Sequence, residues 1–494
     1  MPIEDTTNSY EYKLKAAGLA EPLSTYLSDP NDPDRLAAGF VGVKTNPLTG
    51  ESALSLPEGN VKIPVPNLEV NFLDQKWKTL ATFNEGWGIS GGGSTVLGAE
   101  NSNLLSGGLK RREWTVPSGG STLTWNVPAA KQFSLASAQT VGLLLESDAE
   151  IRGTITVYFY EGGFTNGKTL QFNIVANTPD SKMFLVAHVD RVASESPNNV
   201  ALWGTSGTGS FANTTTIVQV FTSGGQEQNI KLHGIFLGGK SKTKVMIGFD
   251  MWAINSSNLY SLVFPQMAAR GHLGYLAPPT REGVLTAEDY RRTKEMYDAG
   301  WDVINHSDTH QTPQELGSQA AVVKEYSDAR EILVGMGYNT AKYLGAWPKN
   351  TTNAFGVRAL RSLGYKWFRG LSCFYTNAFP LGINGVSHQL EAGSVDLSDR
   401  PASGNIAILR AAIREGQSIN FYTHSVYKNG QLSPPNAVDP GNGAVMNNPF
   451  QNDIWESSWN LFYAEVCAQE DAGTIEVIRP SDYYMRCTGV HIPR

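Results

Sequence analysis

Between residues 66 and 243 apolar and polar residues alternate in short runs. In TITVYFY, Ile155, Val157 and Phe159 fall on one face and Thr154, Thr156, Tyr158 and Tyr160 on the other, the period of two that marks a half-buried strand. KMFLVAHV (182–189), TTIVQVF (215–221) and NIKLHGIFL (229–237) repeat the pattern, separated by clusters of Gly, Ser, Asn and Thr. This spacing predicts a central antiparallel β-sandwich, jelly-roll-like, that closes near GGKSKTK (238–244).

From residue 244 the pattern changes to alternating strands and helices. KVMIGFD (244–250) reads as a buried strand, and LTAEDYRRTKEMYDAG (285–300) as a helix with Thr286 as N-cap, Asp289 three residues on and Gly300 past its end. WDVINH (301–306) reads as a strand, and residues 312–337 as one helix opened by Thr312, Pro313 and a Glu315 capping box. YLGAWP (343–348), a helix over 353–364, YKWFRG (365–370), SINFYTH (418–424), a helix over 454–473 and TIEVIRP (474–480) complete the series. Such units predict an α/β region with a parallel sheet or barrel, and function at the C-terminal ends of its strands.

Residues 1–65 read as an extended tether. Turn chemistry marks 28–35 and 45–52, VKIPVPNLEV carries too many prolines for a central strand, and only 11–27 suits a short helix. The expected domains are therefore an attachment segment at 1–65, a carbohydrate-binding or spacer sandwich at 66–243, and an α/β domain at 244–494.

Composition narrows the function. The 494 residues carry a formal charge of −7 with 17% charged side chains and no basic block, which argues against nucleic acid as a partner. Fifty glycines suit β structure, and 11 Trp with 19 Tyr leave flat surface for stacking on sugars, with Trp87, Trp114 and Trp125 as candidates. Cys373, Cys467 and Cys487 are too few for a disulfide framework, although a Cys467–Cys487 bridge stays open. MPIEDTTNSYEYKLK lacks the basic start and apolar run of a signal peptide, and no stretch reaches the length of a membrane helix. The sequence thus predicts a product made soluble in the cytoplasm, with no membrane insertion.

Candidate chemistry gathers at predicted strand ends. Asp250 ends IGFD, His306 and His310 lie in HSDTH after WDVIN, and His424 ends INFYTH. Two histidines separated by three residues can converge on one metal, and a carboxylate and a lone histidine on other strands can serve as base and acid.

These motifs resemble those of the NodB-like polysaccharide deacetylases, carbohydrate esterase family four. Gly248-Phe249-Asp250-Met251-Trp252 is similar to the family's Thr-Phe-Asp-Asp-Gly, and Gly300-Trp301-Asp302-Val303 with His306-Ser307-Asp308-Thr309-His310 to its second motif. Ala346-Trp347-Pro348 and Phe421-Tyr422-Thr423-His424 are similar to its third and fifth. The resemblance implies a distorted (β/α)7 barrel over 244–494 and metal-assisted hydrolysis of an N- or O-acetyl group on a glycan. It implies Asp250 as base, His424 as acid, His306 and His310 as ligands of a divalent metal, zinc in most members, and Trp347, Lys349 and Tyr422 as substrate-binding residues. Met251 stands where the family has a metal-binding aspartate, and a thioether is a poor zinc ligand; the site then needs a substitute such as Asp308, Asn255 or extra water, or it holds metal weakly. Ala346 stands where many members carry an arginine that orients the catalytic aspartate. Two alternatives follow from Met251: a metal-independent glycan depolymerase (lyase or hydrolase) on the same fold, or an inactive glycan-binding, receptor-recognition protein.

VGVKTNPLTGESALSLPEGNVKIPVP resembles the lead-in sequences of bacteriophage tail fibres and tailspikes. That resemblance implies a homo-oligomeric virion tail component, joined to other tail proteins through its N-terminus and acting outside the cell on capsule or lipopolysaccharide. His188, His233, His272, His388 and His491 read as structural, and Asp396 and Asp399 as loop residues with a lesser claim to the cleft.

Overall fold

The computed structural model describes residues 42–45, 51–55, 63–66, 71–72, 75–81 and 83–494 without 84–85, 101–109, 136–139, 148–152, 175–180, 189–200, 208–212, 224, 239–241, 252–257, 282–284, 371–390, 393, 416–417, 429–438, 440, 447–452 and 489–490. Cys373, His388, Asn255 and the expected 11–27 helix lie outside them.

Inside the segment expected to be a plain tether, Gly42–Thr45, Glu51–Ser55 and Ile63–Pro66 form an antiparallel meander. The prolines that argued against a strand sit on the strand at the sheet's edge, where a missing N–H costs no ladder bond.

Two antiparallel sheets follow. One runs Ser181–His188, Thr140–Ser147, Gln228–Gly238, Gln75–Ala81, with Lys110–Val116 paired to the first half of the long Gln228–Gly238 strand. The other is six-stranded, in the order Ala201–Ser206, Asn166–Ile174, Gly153–Glu161, Thr216–Ser223, Ser121–Asn126, Gly88–Ser90. Ile155, Val157 and Phe159 meet Leu143, Leu145 and Ile230 in one core, as the alternation requires. Trp87, Trp114 and Trp125 are in that core too, at 7%, 1% and 3% exposure, so none offers a stacking surface. A Trp on an inward strand position buries more apolar area than any other side chain there, and the core claims it.

The parallel region begins at Thr243–Asp250, every residue of which is buried, the mark of a strand covered on both faces. Tyr275–Ala277 and Ile419–Thr423 pair with it in parallel, Asp302–Val303 flanks the former and Val395–Asp396 the latter. Leu344–Ala346, Trp367–Arg369 and Glu391–Ala392 form a second parallel set, joined to the first by a parallel bridge between Asn305 and Gly345. Gly248 is required where it stands: a Cβ there would lie 1.9 Å from the Tyr275 ring. Leu144 and Phe236 of the sandwich share an apolar cluster with Met246, Tyr275, Ile478 and Tyr483, so the two regions pack together.

The helices whose caps the sequence names form at those caps, while Ala402–Glu415 and Pro480–Thr488 are further helices and Glu456–Asp471 starts without a side-chain cap. Thr286 and Asp289 close a capping box on Ala287–Asp298. The stretch expected as a single helix over 312–337 is two, Pro313–Leu316 and Gln319–Gly335. Gly317 takes a left-handed φ of 73° and ends the first, and Ser318 caps the second by accepting from the Ala321 N–H. Among the described residues no helix is long and apolar enough to cross a membrane.

Candidate active site

Asp250 ends the first parallel strand and is 3% exposed. Its Oδ2 lies 3.5 Å from His306 Nε2 and 3.8 Å from His424 Nε2. The His306 and His310 rings stand 4.9 Å apart, edge to face. Four groups distant in sequence therefore converge, with Asp250 and His306 beneath and the half-buried His310 and His424 toward the surface.

The turn that delivers the histidines is tightly held. Asn305 Oδ1 accepts from the Ser307 N–H at 2.9 Å, and its amide donates to Tyr365 Oη and the Tyr326 carbonyl. Glu325, from the long helix, accepts from both the N–H and hydroxyl of Thr309. Ser307 and His310 have φ of 68° and 59°, and Lys349 and Asn350 on the facing turn have 52° and 47°. Among the described residues these four are the only non-glycines with positive φ. At about 1–3 kcal/mol each, such strain persists where the surroundings impose it, and it collects at functional sites.

Arg369 is the residue that sequence reasoning missed. Fully buried at the end of Trp367–Arg369, it donates Nη1 to Asp250 Oδ1 at 2.5 Å and Nη2 to Oδ2 at 2.7 Å. It takes the place of the arginine absent at Ala346. The available signal was the run YKWFRG, in which a charge interrupts aromatic residues on a buried strand.

Burial pushes the Asp250 carboxyl up, but Arg369 and His306 overcome this and hold it well below the usual carboxylate range. Burial pushes His306 down to about 3 against the opposing pull of Asp250. His310 and His424 are lowered in the same way, by burial first with Asp250 opposing. All three imidazoles are neutral at pH 7, which makes them lone-pair donors and proton acceptors.

Two residues expected to bind substrate do something else. Trp347 is fully buried, wedged against Phe368 at 4.7 Å and Tyr326 at 5.4 Å. Tyr422 is 3% exposed, its ring 4.2 Å beneath the Arg369 guanidinium and its hydroxyl bonded to the Asn350 amide. Both are struts under the site rather than stacking surfaces, because aromatic residues at strand ends were filled over by neighbouring elements. Lys349 is exposed, its ammonium 2.6 Å from Glu315 at the rim.

The metal test is partial. His306 Nδ1 faces the Ala346 carbonyl at 3.3 Å, and its buried Nε2 has no hydrogen-bond partner, the arrangement of a ligating imidazole. His310 stands beside it. Met251 supplies nothing: it is 1% exposed in the apolar core, its sulfur accepting from Thr293 Oγ1 at 3.5 Å. Asp308 is engaged by Thr280 at 2.9 Å, and both oxygens of Asp250 are held by Arg369. Among the described residues no group of three His, Cys, Asp or Glu forms a cation site. Zinc takes four ligands in structural sites and three protein ligands in catalytic ones, so the described side chains do not make a complete zinc site.

Asp396 is buried and hydrogen-bonded to Tyr422, with Oδ1 accepting from the N–H and hydroxyl of Ser398; Asp399 is exposed. His272 bonds Tyr463 and Glu470, and His233 Nε2 lies 3.2 Å from Glu146, both away from the site. Cys467 is a free thiol.

No protein-family model matches the chain, and no curated protein matches it. Solved structures similar to it include a CE4 family pseudoenzyme from Bacillus anthracis, 12% identical over 50% of this chain and 66% of that one, TM-score 0.31. A family 4 acetyl xylan esterase from Clostridium thermocellum, solved with a cobalt ion, is 12% identical over 51% of this chain and 94% of that one, TM-score 0.32. A peptidoglycan deacetylase from Bacillus subtilis is 14% identical over 50% and 92%, TM-score 0.31. At these TM-scores the likeness transfers no function.

Proposed function

We propose that the C-terminal half, a distorted (β/α)7 barrel, hydrolyses an acetyl group, amide or ester, from a bacterial surface polysaccharide. The observation that carries this reading is the position of Asp250 Oδ2, within 3.8 Å of the Nε2 atoms of both His306 and His424, at strand ends.

Asp250 is a weak proton acceptor, because Arg369 keeps it ionised. His424, neutral and half-buried beside it, is the better base. His424 Nε2 takes a proton from water as the water oxygen bonds to the acetyl carbon, and the Asp250 charge stabilises the imidazolium that forms. The tetrahedral adduct then collapses: the bond from carbon to amine or alkoxide breaks, the imidazolium returns its proton to the leaving group, and acetate departs. The base and acid roles that the motif resemblance divides between Asp250 and His424 thus fall to His424, with Asp250 acting by its charge. His306 lies at the floor beside Asp250 and His310 stands above it toward the surface. Acetate release from acetylated glycan, measured for the wild type and Asp250→Asn, tests the reading.

A second reading, glycan binding without catalysis, is favoured by Met251, whose side chain lies in the core where a ligand would face the cleft. Glycan affinity with no acetate released selects it.

On the same proposal the chain is an oligomeric bacteriophage tail protein, held to other tail proteins through residues 1–65 and acting extracellularly. The tail-fibre-like sequence ahead of residue 66 supports this, and copurification with virions tests it.

A further inference from the structure

The outer face of the six-stranded sheet carries no charge. Its strands pair without register shifts, so the positions that look outward with Tyr158 and Tyr160 follow from the pairing. They include Thr154 and Thr156 on the same strand, Thr169 and Gln171 on one neighbour, and Thr216 and Thr222 on the other. No outward position of Gly88–Ser90, Ser121–Asn126, Gly153–Glu161, Asn166–Ile174 or Thr216–Ser223 is Asp, Glu, Lys or Arg. Hydroxyls and amides share this face with Val218 and Val220, and Thr156, Thr216 and Val218 are buried in it; charges are the usual choice on such a surface.

Aromatic rings stand on this face. Tyr158 and Tyr160, both half-buried, have rings parallel to within 1° with centroids 5.8 Å apart. Phe164, on the adjoining hairpin turn and 66% exposed, stands edge-on to Tyr160 at 5.2 Å. The residue paired across from Tyr160 is Gly167, which brings no side chain of its own to that flank. The row continues along one strand into its turn, at steps comparable with one pyranose unit.

We propose that this face is a second sugar-binding site, separate from the Asp250 cleft, that takes an uncharged stretch of a polysaccharide chain. Pyranose C–H faces pack on the tyrosine and phenylalanine rings, while the hydroxyls of Thr154, Thr169 and Thr222 and the Gln171 amide meet the sugar hydroxyls at the sides. A polyanion would find no cations here. A large protein partner would bury rows of hydroxyls at a cost for each one left unpaired. The inference rests on the reading of the substrate as a glycan and supplies the means by which the chain stays on it.

Affinity electrophoresis of the full chain, in gels holding acetylated xylan, glycol chitin or heparin, tests this. The wild type is expected to be retarded by at least one of the two neutral polymers and to pass heparin freely. The double substitution Tyr158→Ala/Tyr160→Ala weakens that retardation about tenfold or more, and Tyr158→Phe/Tyr160→Phe, which keeps both rings, retains it. Asp250→Asn keeps the retardation and loses acetate release, so a failure of this site and a failure of the active-site reading are told apart. Free passage through both neutral gels overturns the proposal. So does full retardation of the double alanine variant, or a dimer in sedimentation that the alanine variant dissociates.

Discussion

Arg369 grips Asp250 from 119 residues away, one guanidinium nitrogen on each carboxylate oxygen, and rests on the face of Tyr422 at 4.2 Å. Removing one partner of a buried pair leaves the other charge uncompensated, at about 3–5 kcal/mol. Arg369→Met is expected to lower stability by that amount in urea unfolding, and to abolish acetate release. Arg369→Lys should restore part of the stability and little of the activity, because an ammonium cannot hold both oxygens in one plane.

Tyr422 links that pair to the strained turn through the Asn350 amide. Tyr422→Phe keeps the ring under Arg369 and removes the hydroxyl. It is expected to cost about 1–3 kcal/mol of stability, because the Asn350 amide and the buried Asp396 carboxyl each lose a partner, and to lower kcat with KM little altered, since the residue is buried beneath Arg369. A KM rise with constant kcat would instead make it a binding residue.

His424 gives the pH dependence. Burial lowers its pKa and Asp250 opposes that shift, so the acid limb of the kcat/KM profile should lie below the ordinary histidine value of about 6.5. Asp250→Asn removes the opposing charge, so any residual activity should have an acid limb moved further down. A limb above 6.5 in the wild type would contradict the assignment.

Asp396 and His306 bend the stability curve in opposite directions. Burial raises Asp396 to about 7, with Ser398 opposing. The folded chain therefore favours its protonated form, and the stability it contributes is complete below the unfolded value of about 4 and lost as pH rises through about 7. His306, lowered to about 3, contributes above its unfolded value of about 6.5 and loses that as pH falls. Asp396→Asn should flatten the decline in Tm between pH 5 and pH 8, while leaving the acid-side loss intact.

Met251 packs in the core and contributes no ligand. Met251→Leu conserves volume and should cost less than about 1.5 kcal/mol, with activity unchanged. With two imidazoles and no third described ligand, dialysed protein should carry less than one equivalent of zinc, and EDTA should remove it without unfolding the chain.

The positions of Asp250, His306 and His424 were legible because each ends a short strand-like run, KVMIGFD, WDVINH and SINFYTH, within an alternating strand–helix series, which puts the polar residue at its end on the sheet's rim. The caps at Thr286 and Thr312 were legible for the same local reason: side-chain chemistry within four residues decides them. Arg369 was not, since its partner is 119 residues away and the charge in YKWFRG does not say which group it meets. Trp347, Tyr422 and the sandwich tryptophans misled because an aromatic residue beside a motif looks the same in sequence whether neighbouring elements cover it or leave it open. Gly317 hid a helix break inside a pattern whose apolar period runs on either side of it.

The central claim, that Asp250 and His424 act together on a glycan acetyl group, is tested most directly by acetate release from acetylated glycan by the wild type, Asp250→Asn and His424→Ala, all confirmed folded. The account predicts release by the wild type and a loss of at least about a hundredfold in each variant, with the double variant no worse than the more damaging single one. Acetate released at the wild-type rate by either single variant would contradict it.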